Sequence, residues 1–201
     1  MSESGLTYLS NKNKYERDNR IRFEDLGHSY FIDGVKCDKD KGWTSCTSLV
    51  HGQFPHFNPD LTVNRMMKSK NWPNSKYYGM DKKAILKQWD DAGLISRELG
   101  TKMHLMIEQV YNEDSPNNID VSGIESEETI FNKFYDEHKN LIPHRTEMLV
   151  FDEELKLTGS IDMIFENEDG TLSIYDWKRS KSIDMKNKYG KSKVFELSSM
   201  L

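Results

Sequence analysis

The sequence predicts an α/β chain of the α+β kind, and three observations carry that expectation. Helical periodicity, with cap and stop residues, fills most of 81–141. Between 147 and 178 the pattern changes to β-type composition interrupted by turn residues. Short strand-like runs with glycine turns occupy 21–50. A chain of 201 residues can bury roughly 70% of its unfolded surface and needs no covalent staples. With 36% hydrophobic and 30% charged residues it reads as globular with a polar surface.

Taken in order, 1–20 is polar and loosely ordered at first. Met1–Gly5 lacks the basic-then-apolar pattern of a signal peptide, and no run approaches the ~18 apolar residues of a membrane span. In 21–50, strands at 22–24 and 28–32 flank a turn at 25–27, and Asp33-Gly34 is a hairpin signal. Residues 51–80, aromatic-rich and broken by Pro55, Pro59 and Pro73, read as a short helix with irregular loops. Asp81 caps a first helix over 81–92, and Gly93 stops it. A second helix runs over 96–111, and a third over 126–141 ends before Pro143. Strands follow at 147–151, 157–166 and 172–178, and the remainder is basic, then weakly apolar. Two parts are expected: 1–79 as a strand/loop segment with a nucleic-acid-binding role, and 80–201 as a core cut short at its C-terminus.

Cys37 and Cys46 are the two cysteines. They allow one disulfide, but reduced thiols in an intracellular, reducing compartment are the expected state. They cannot supply a four-cysteine zinc site or an iron–sulfur cluster. The net charge of -5 argues against coating nucleic acid by bulk charge. The charge is uneven, however. Lys12, Lys14, Arg17, Arg20 and Arg22 lie near the start, and Lys178, Arg179, Lys181, Lys186 and Lys188 near the end. An acidic stretch over 113–154 separates them. Such runs are either solvated faces or a grip on a phosphate backbone beside a metal site.

On the second helix, Leu99, Met103, Met106 and Val110 form an apolar stripe, and His104 and Glu108 stack on the face roughly opposite. The pair is either a solvated His–Glu contact or a metal ligand with its helper. In the second case Gly100 would admit another backbone. Across the last hairpin, a three-residue loop, Glu168-Asp169-Gly170, with Gly170 left-handed, sets Asp162 opposite Asp176 and Ile164 opposite Ile174. Asp176 and Lys178 then share a face and Trp177 points away. Two carboxylates ~5 Å apart repel by about 3 kcal/mol at an effective dielectric of ~20. Either one is protonated, or a hard divalent cation sits between them. The alternative is a partly solvated acidic edge strand with a gatekeeper lysine.

Asp162 followed by Asp176-Trp177-Lys178 across a hairpin resembles the PD-(D/E)XK nuclease core. Gly100-Thr101-x-x-His104-x-x-x-Glu108 on the preceding helix resembles the signature of its RecB-like exonuclease branch, which includes viral, phage, CRISPR-associated and mitochondrial genome maintenance exonucleases. The likeness covers about 80–180. It implies a restriction-endonuclease-like core, a mixed central sheet flanked by helices, with a small N-terminal β/irregular segment. It also implies His104, Asp162, Asp176 and the main-chain carbonyl of Trp177 as ligands of one or two Mg²⁺ or Mn²⁺ ions. Lys178 would activate water and stabilise the phosphate, and Glu108 would assist. Glu147 falls where many members carry an acid. The family's Q-x-x-x-Y helix after the lysine does not occur before Leu201.

The implied activity is metal-dependent hydrolysis of DNA, with an exonuclease acting on single strands or ends in replication, repair or recombination as first expectation. Arg179, Lys181, Lys186 and Lys188 would track the backbone. Trp43, Phe54, Phe57, Trp72, Tyr77 and Tyr78 either stack bases or pack in the core. The alternatives are a cap-snatching type of endoribonuclease, with RNA as substrate, and an inactive nuclease-like binding module.

Overall fold

The computed structural model describes residues 6–54, 56–112 and 119–180. They form a mixed α/β arrangement of two sheets and five α-helices. A small antiparallel sheet contains β1 (Ile21–Glu24), β2 (Ser29–Ile32) and β3 (Val35–Lys36). Asp33 and Gly34 both take positive φ in its two-residue turn, as a tight hairpin requires. The second sheet is mixed. β5 (Ile142–Asp152) runs antiparallel along one edge of β6 (Leu157–Glu166). β7 (Leu172–Tyr175), antiparallel, and β4 (Thr44–Ser45), parallel, share the other edge of β6.

Short α1 (Tyr8–Lys12), α2 (Cys46–Gly52) and α3 (Pro59–Met67) precede the dominant helix, α4 (Lys82–Tyr111), and α5 (Glu125–Glu137) follows it. Pro59 opens α3 at a position where its missing N–H costs nothing, with Asn58 as cap. Asp81 caps α4 as expected, its carboxylate accepting from the Ala84 N–H at 2.8 Å. The expected break at Gly93 does not occur: α4 is one helix of 30 residues. A glycine inside a helix costs about 1 kcal/mol, which the burial of Ile85, Met103, Met106 and Ile107 outweighs. Nor does Gly100 admit a second backbone, since the space over its Cα is open. The helix over 126–141 ends three residues before Leu141 at the His138 cap, and β5 begins at Ile142, taking Pro143 into its first turn of pleat beside a register shift.

The core lies between α1, α4 and α5 and one face of the mixed sheet. Leu9, Met106, Ile107, Ile124, Phe131, Met163 and Phe165 are among its buried members. Tyr111, Phe134, Phe165, Tyr175 and Trp177 extend it through edge-to-face contacts, with Phe134 and Trp177 at 5.3 Å and Phe165 and Tyr175 at 4.8 Å. Among the described residues no helix is long and apolar enough to cross a membrane.

Candidate metal centre

The hairpin register is the one the loop chemistry predicts. Ile164 faces Ile174, Met163 faces Tyr175, and Gly170 is left-handed at φ 79°. The ladder stops there, so β7 ends at Tyr175 and 176–178 continue without strand pairing. The main-chain N–H of Trp177 instead donates to Asp162 Oδ2 at 2.8 Å.

On the other edge, a four-residue turn at 153–156 closes β5 onto β6, and by register Glu147 falls opposite Asp162. The pairing passes from Thr146–Met163 to Met148–Ile161 and skips both acids. Glu147 has φ 42°, a left-handed conformation that costs a side-chain-bearing residue of order 1 kcal/mol or more. The alternation of faces breaks at the same level. Met163 and Phe165 enter the helix-side core, whereas Ile161 and Ile164 both line the opposite face. The local break lets two acids of neighbouring strands emerge together.

Onto this point α4 projects His104. Its Nδ1 lies 3.3 Å from Glu147 Oε1 and 3.8 Å from Asp162 Oδ2, and its Nε2 lies 3.0 Å from the Trp177 carbonyl oxygen. One ligand atom from each of His104, Glu147 and Asp162 falls within 4.8 Å of the others. All three are partly accessible, at 28%, 36% and 14% of side-chain surface. Packing of the Trp177 indole against Phe131 and Phe134 of α5 fixes the carbonyl that meets the imidazole. Ser160 Oγ donates to the second Glu147 oxygen at 3.0 Å.

The electrostatics follow from this crowding. The hydrogen bond to Glu147 raises the His104 pKa, with help from Asp162 and against burial. Both ring nitrogens face acceptors alone, the arrangement of an imidazolium. Burial raises the Asp162 carboxyl, and Glu147 and Asp176 add to it against the Trp177 N–H and His104. Glu108, one turn from His104, is pushed up to about 7, by burial first and then by Glu147.

The expected residues do not all join the group. Asp176 is not in the group: 58% exposed, it holds the Lys178 ammonium at 2.7 Å. Glu147 stands in the place given to it. The Trp177 carbonyl accepts from the imidazole, so it orients the ring and leaves Nδ1 facing the acids. Glu108 flanks the group without belonging to it. Arg179 is engaged by Glu127 of α5 at 2.7 Å. Lys181, Lys186 and Lys188 lie outside the described residues. Asp176 and Lys178 do share a face with Trp177 turned away; a cleft of about 550 Å³ on the Trp177 side is walled by Met103, Ile107, Phe134 and Trp177 and takes in Lys178 but not Asp176.

Sequence reasoning passed over Ser160 and gave Glu147 only a family-based place. The signal was present: pairing Asp152 with Leu157 across the turn counts back to Glu147 opposite Asp162. The chain matches no family model, no curated protein and no solved structure.

Proposed function

We propose that the chain is a metal-dependent phosphodiester hydrolase acting on DNA, of the PD-(D/E)XK kind and nearest in its motifs to the RecB-like exonucleases. One observation carries the proposal: an imidazole from α4 and two carboxylates from adjacent strands converge within 4.8 Å, at a point where the backbone is strained to bring them there. A purely structural site has little reason to hold that arrangement, because two carboxylates at this spacing repel by about 3 kcal/mol at an effective dielectric of ~20.

The donor set fits a hard divalent ion of the Mg²⁺ or Mn²⁺ type, with the imidazole favouring Mn²⁺. His104 Nδ1, Glu147 and Asp162 would hold it. The Trp177 carbonyl keeps Nε2–H in place, and Ser160 and the Trp177 N–H orient the two acids. When bound, such an ion polarises a phosphate and acidifies a water. Asp176 positions Lys178, whose ammonium would stabilise charge developing on the phosphate. Glu108, protonated near neutrality, is suited to exchange a proton at this edge of the site. Both cysteines are free, which suits a reducing intracellular setting.

The test uses single-stranded DNA and RNA of one sequence, incubated with the chain and Mn²⁺. Cleavage of the DNA, with losses of about 100-fold or more in His104→Ala, Asp162→Asn and Lys178→Ala, is expected. Selective RNA cleavage would replace the DNA assignment by an endoribonuclease. No cleavage of either strand would leave a binding module.

A further inference from the structure

We propose that the lobe built by α3 and the segment leading into α4 is the docking surface for the single strand that enters the candidate metal centre. Between 61 and 80 the chain carries Arg65, Lys68, Lys70 and Lys76 and no acidic residue; the acids at its borders are engaged, Asp60 by Lys82 and Asp81 as the cap of α4. All four are exposed, and among the described residues none forms a salt bridge. A basic run alone is ordinarily a solvated face. Here it is interleaved with aromatic rings, Trp72 and Tyr77 half-buried and Tyr78 exposed, with Phe57 exposed just before them.

Tyr78 is 60% exposed and Phe57 69%. Trp72 packs edge-on against Tyr78 at 6.0 Å, and Lys76 lies 4.8 Å over the Tyr77 ring. The rings are held, not loose: Trp89 of α4 donates its indole N–H to the Tyr77 hydroxyl at 2.8 Å and contacts Phe57 at 5.9 Å. Rigid exposed rings amid unpaired cations match the needs of single-stranded nucleic acid, whose bases stack on aromatic faces while phosphates meet lysines. Double-stranded DNA, with its bases already stacked, gains only the charge contacts.

The lobe is tied to the site by α4. From Lys82 to His104 is about 33 Å along the helix at 1.5 Å per residue. At ~3.4 Å per stacked nucleotide that is about ten nucleotides. The inference rests on the proposed function only in taking a nucleic-acid strand as substrate.

The experiment is an anisotropy titration of a labelled oligothymidylate of about twenty nucleotides with the full chain in EDTA, so that cleavage does not enter. Lys68→Ala/Lys70→Ala should bind about tenfold more weakly and lower the salt slope by about 1.4, at ~0.7 per phosphate contact. Tyr78→Ala should lose about tenfold through stacking. Lys68→Arg/Lys70→Arg should keep the affinity, and matched thermal midpoints will show that the variants fold. Unchanged affinity in the alanine variants overturns the inference. So does variant-sensitive binding to phosphatidylserine vesicles without oligonucleotide binding. Mn²⁺-dependent cleavage with lobe-independent binding sinks this inference alone. Lobe-dependent binding without cleavage supports it and sinks the proposed hydrolase instead.

Discussion

Glu147 holds a left-handed backbone conformation that an acidic side chain rarely adopts, and it spends that strain on approaching Asp162 and His104. In the absence of a cation, the protonated imidazole is the one positive charge between the two acids. Three groups therefore carry raised pKa values, and all act in one direction. Glu108, at about 7 against 4.5 unfolded, is neutral in the fold while the unfolded chain ionises. Its destabilising effect begins near pH 4.5 and is complete above about 7, roughly 3 kcal/mol at 1.36 kcal/mol per unit. Asp162 acts in the same sense, from 3.8 upward. The stabilising charge on His104 is full below 6.5 and is lost as pH rises through its higher folded value. Carboxyls held low, such as Asp33, Glu127 and Asp169, are ionised in both states above pH 5 and drop out. Calorimetry in EDTA should find the midpoint falling by roughly 5–10 °C from pH 5 to pH 8. Glu108→Gln should flatten much of that fall, and saturating Mn²⁺ should reverse it, because the ion competes with protons. A midpoint that rises over this window in EDTA would contradict the site's electrostatics.

At the scale of elements, legibility tracked how local the determinant was. The β6–β7 register and the left-handed Gly170 follow from a three-residue loop and could be read directly. The Asp81 cap was equally local. Gly93 misled because its local cost is set against burial along the whole of α4, which only the assembled core supplies. Asp176 misled for a related reason. The register that would pair it with Asp162 is present, but β7 ends one residue earlier and Trp177 uses its N–H on Asp162. Asn112, which no motif marked, joins three elements. Its side chain accepts from the Leu9 N–H, and donates to Thr146 Oγ1 and to the Glu108 carbonyl, at 2.8–3.0 Å. This buried bracket fixes the end of α4 against β5, one residue away from Glu147 on one side and one turn from Glu108 on the other. Asn112→Ala should cost about 2–3 kcal/mol in urea unfolding, by stranding buried polar partners. A loss under 0.5 kcal/mol would show that water replaces the bracket freely.

For the whole molecule, the striped charge seen in the sequence sorts into surfaces with different work. The N-terminal part is anchored rather than appended. Leu9 is in the core, β4 joins the mixed sheet, and Arg145 of β5 holds Asp18 at 2.7 Å. The side chains of the His104–Glu147–Asp162 corner stay partly accessible. The α4 helix then spans the molecule from the basic aromatic lobe to this corner. The proposed hydrolase requires that this corner hold a divalent ion. A crystal grown with Mn²⁺ and measured for anomalous scattering tests it most directly. A peak bounded by His104 Nδ1, Glu147 and Asp162 is expected, lost in Asp162→Asn and kept in Asp176→Asn. A peak at Asp176 and Lys178, or no peak at the three-residue corner, would contradict it.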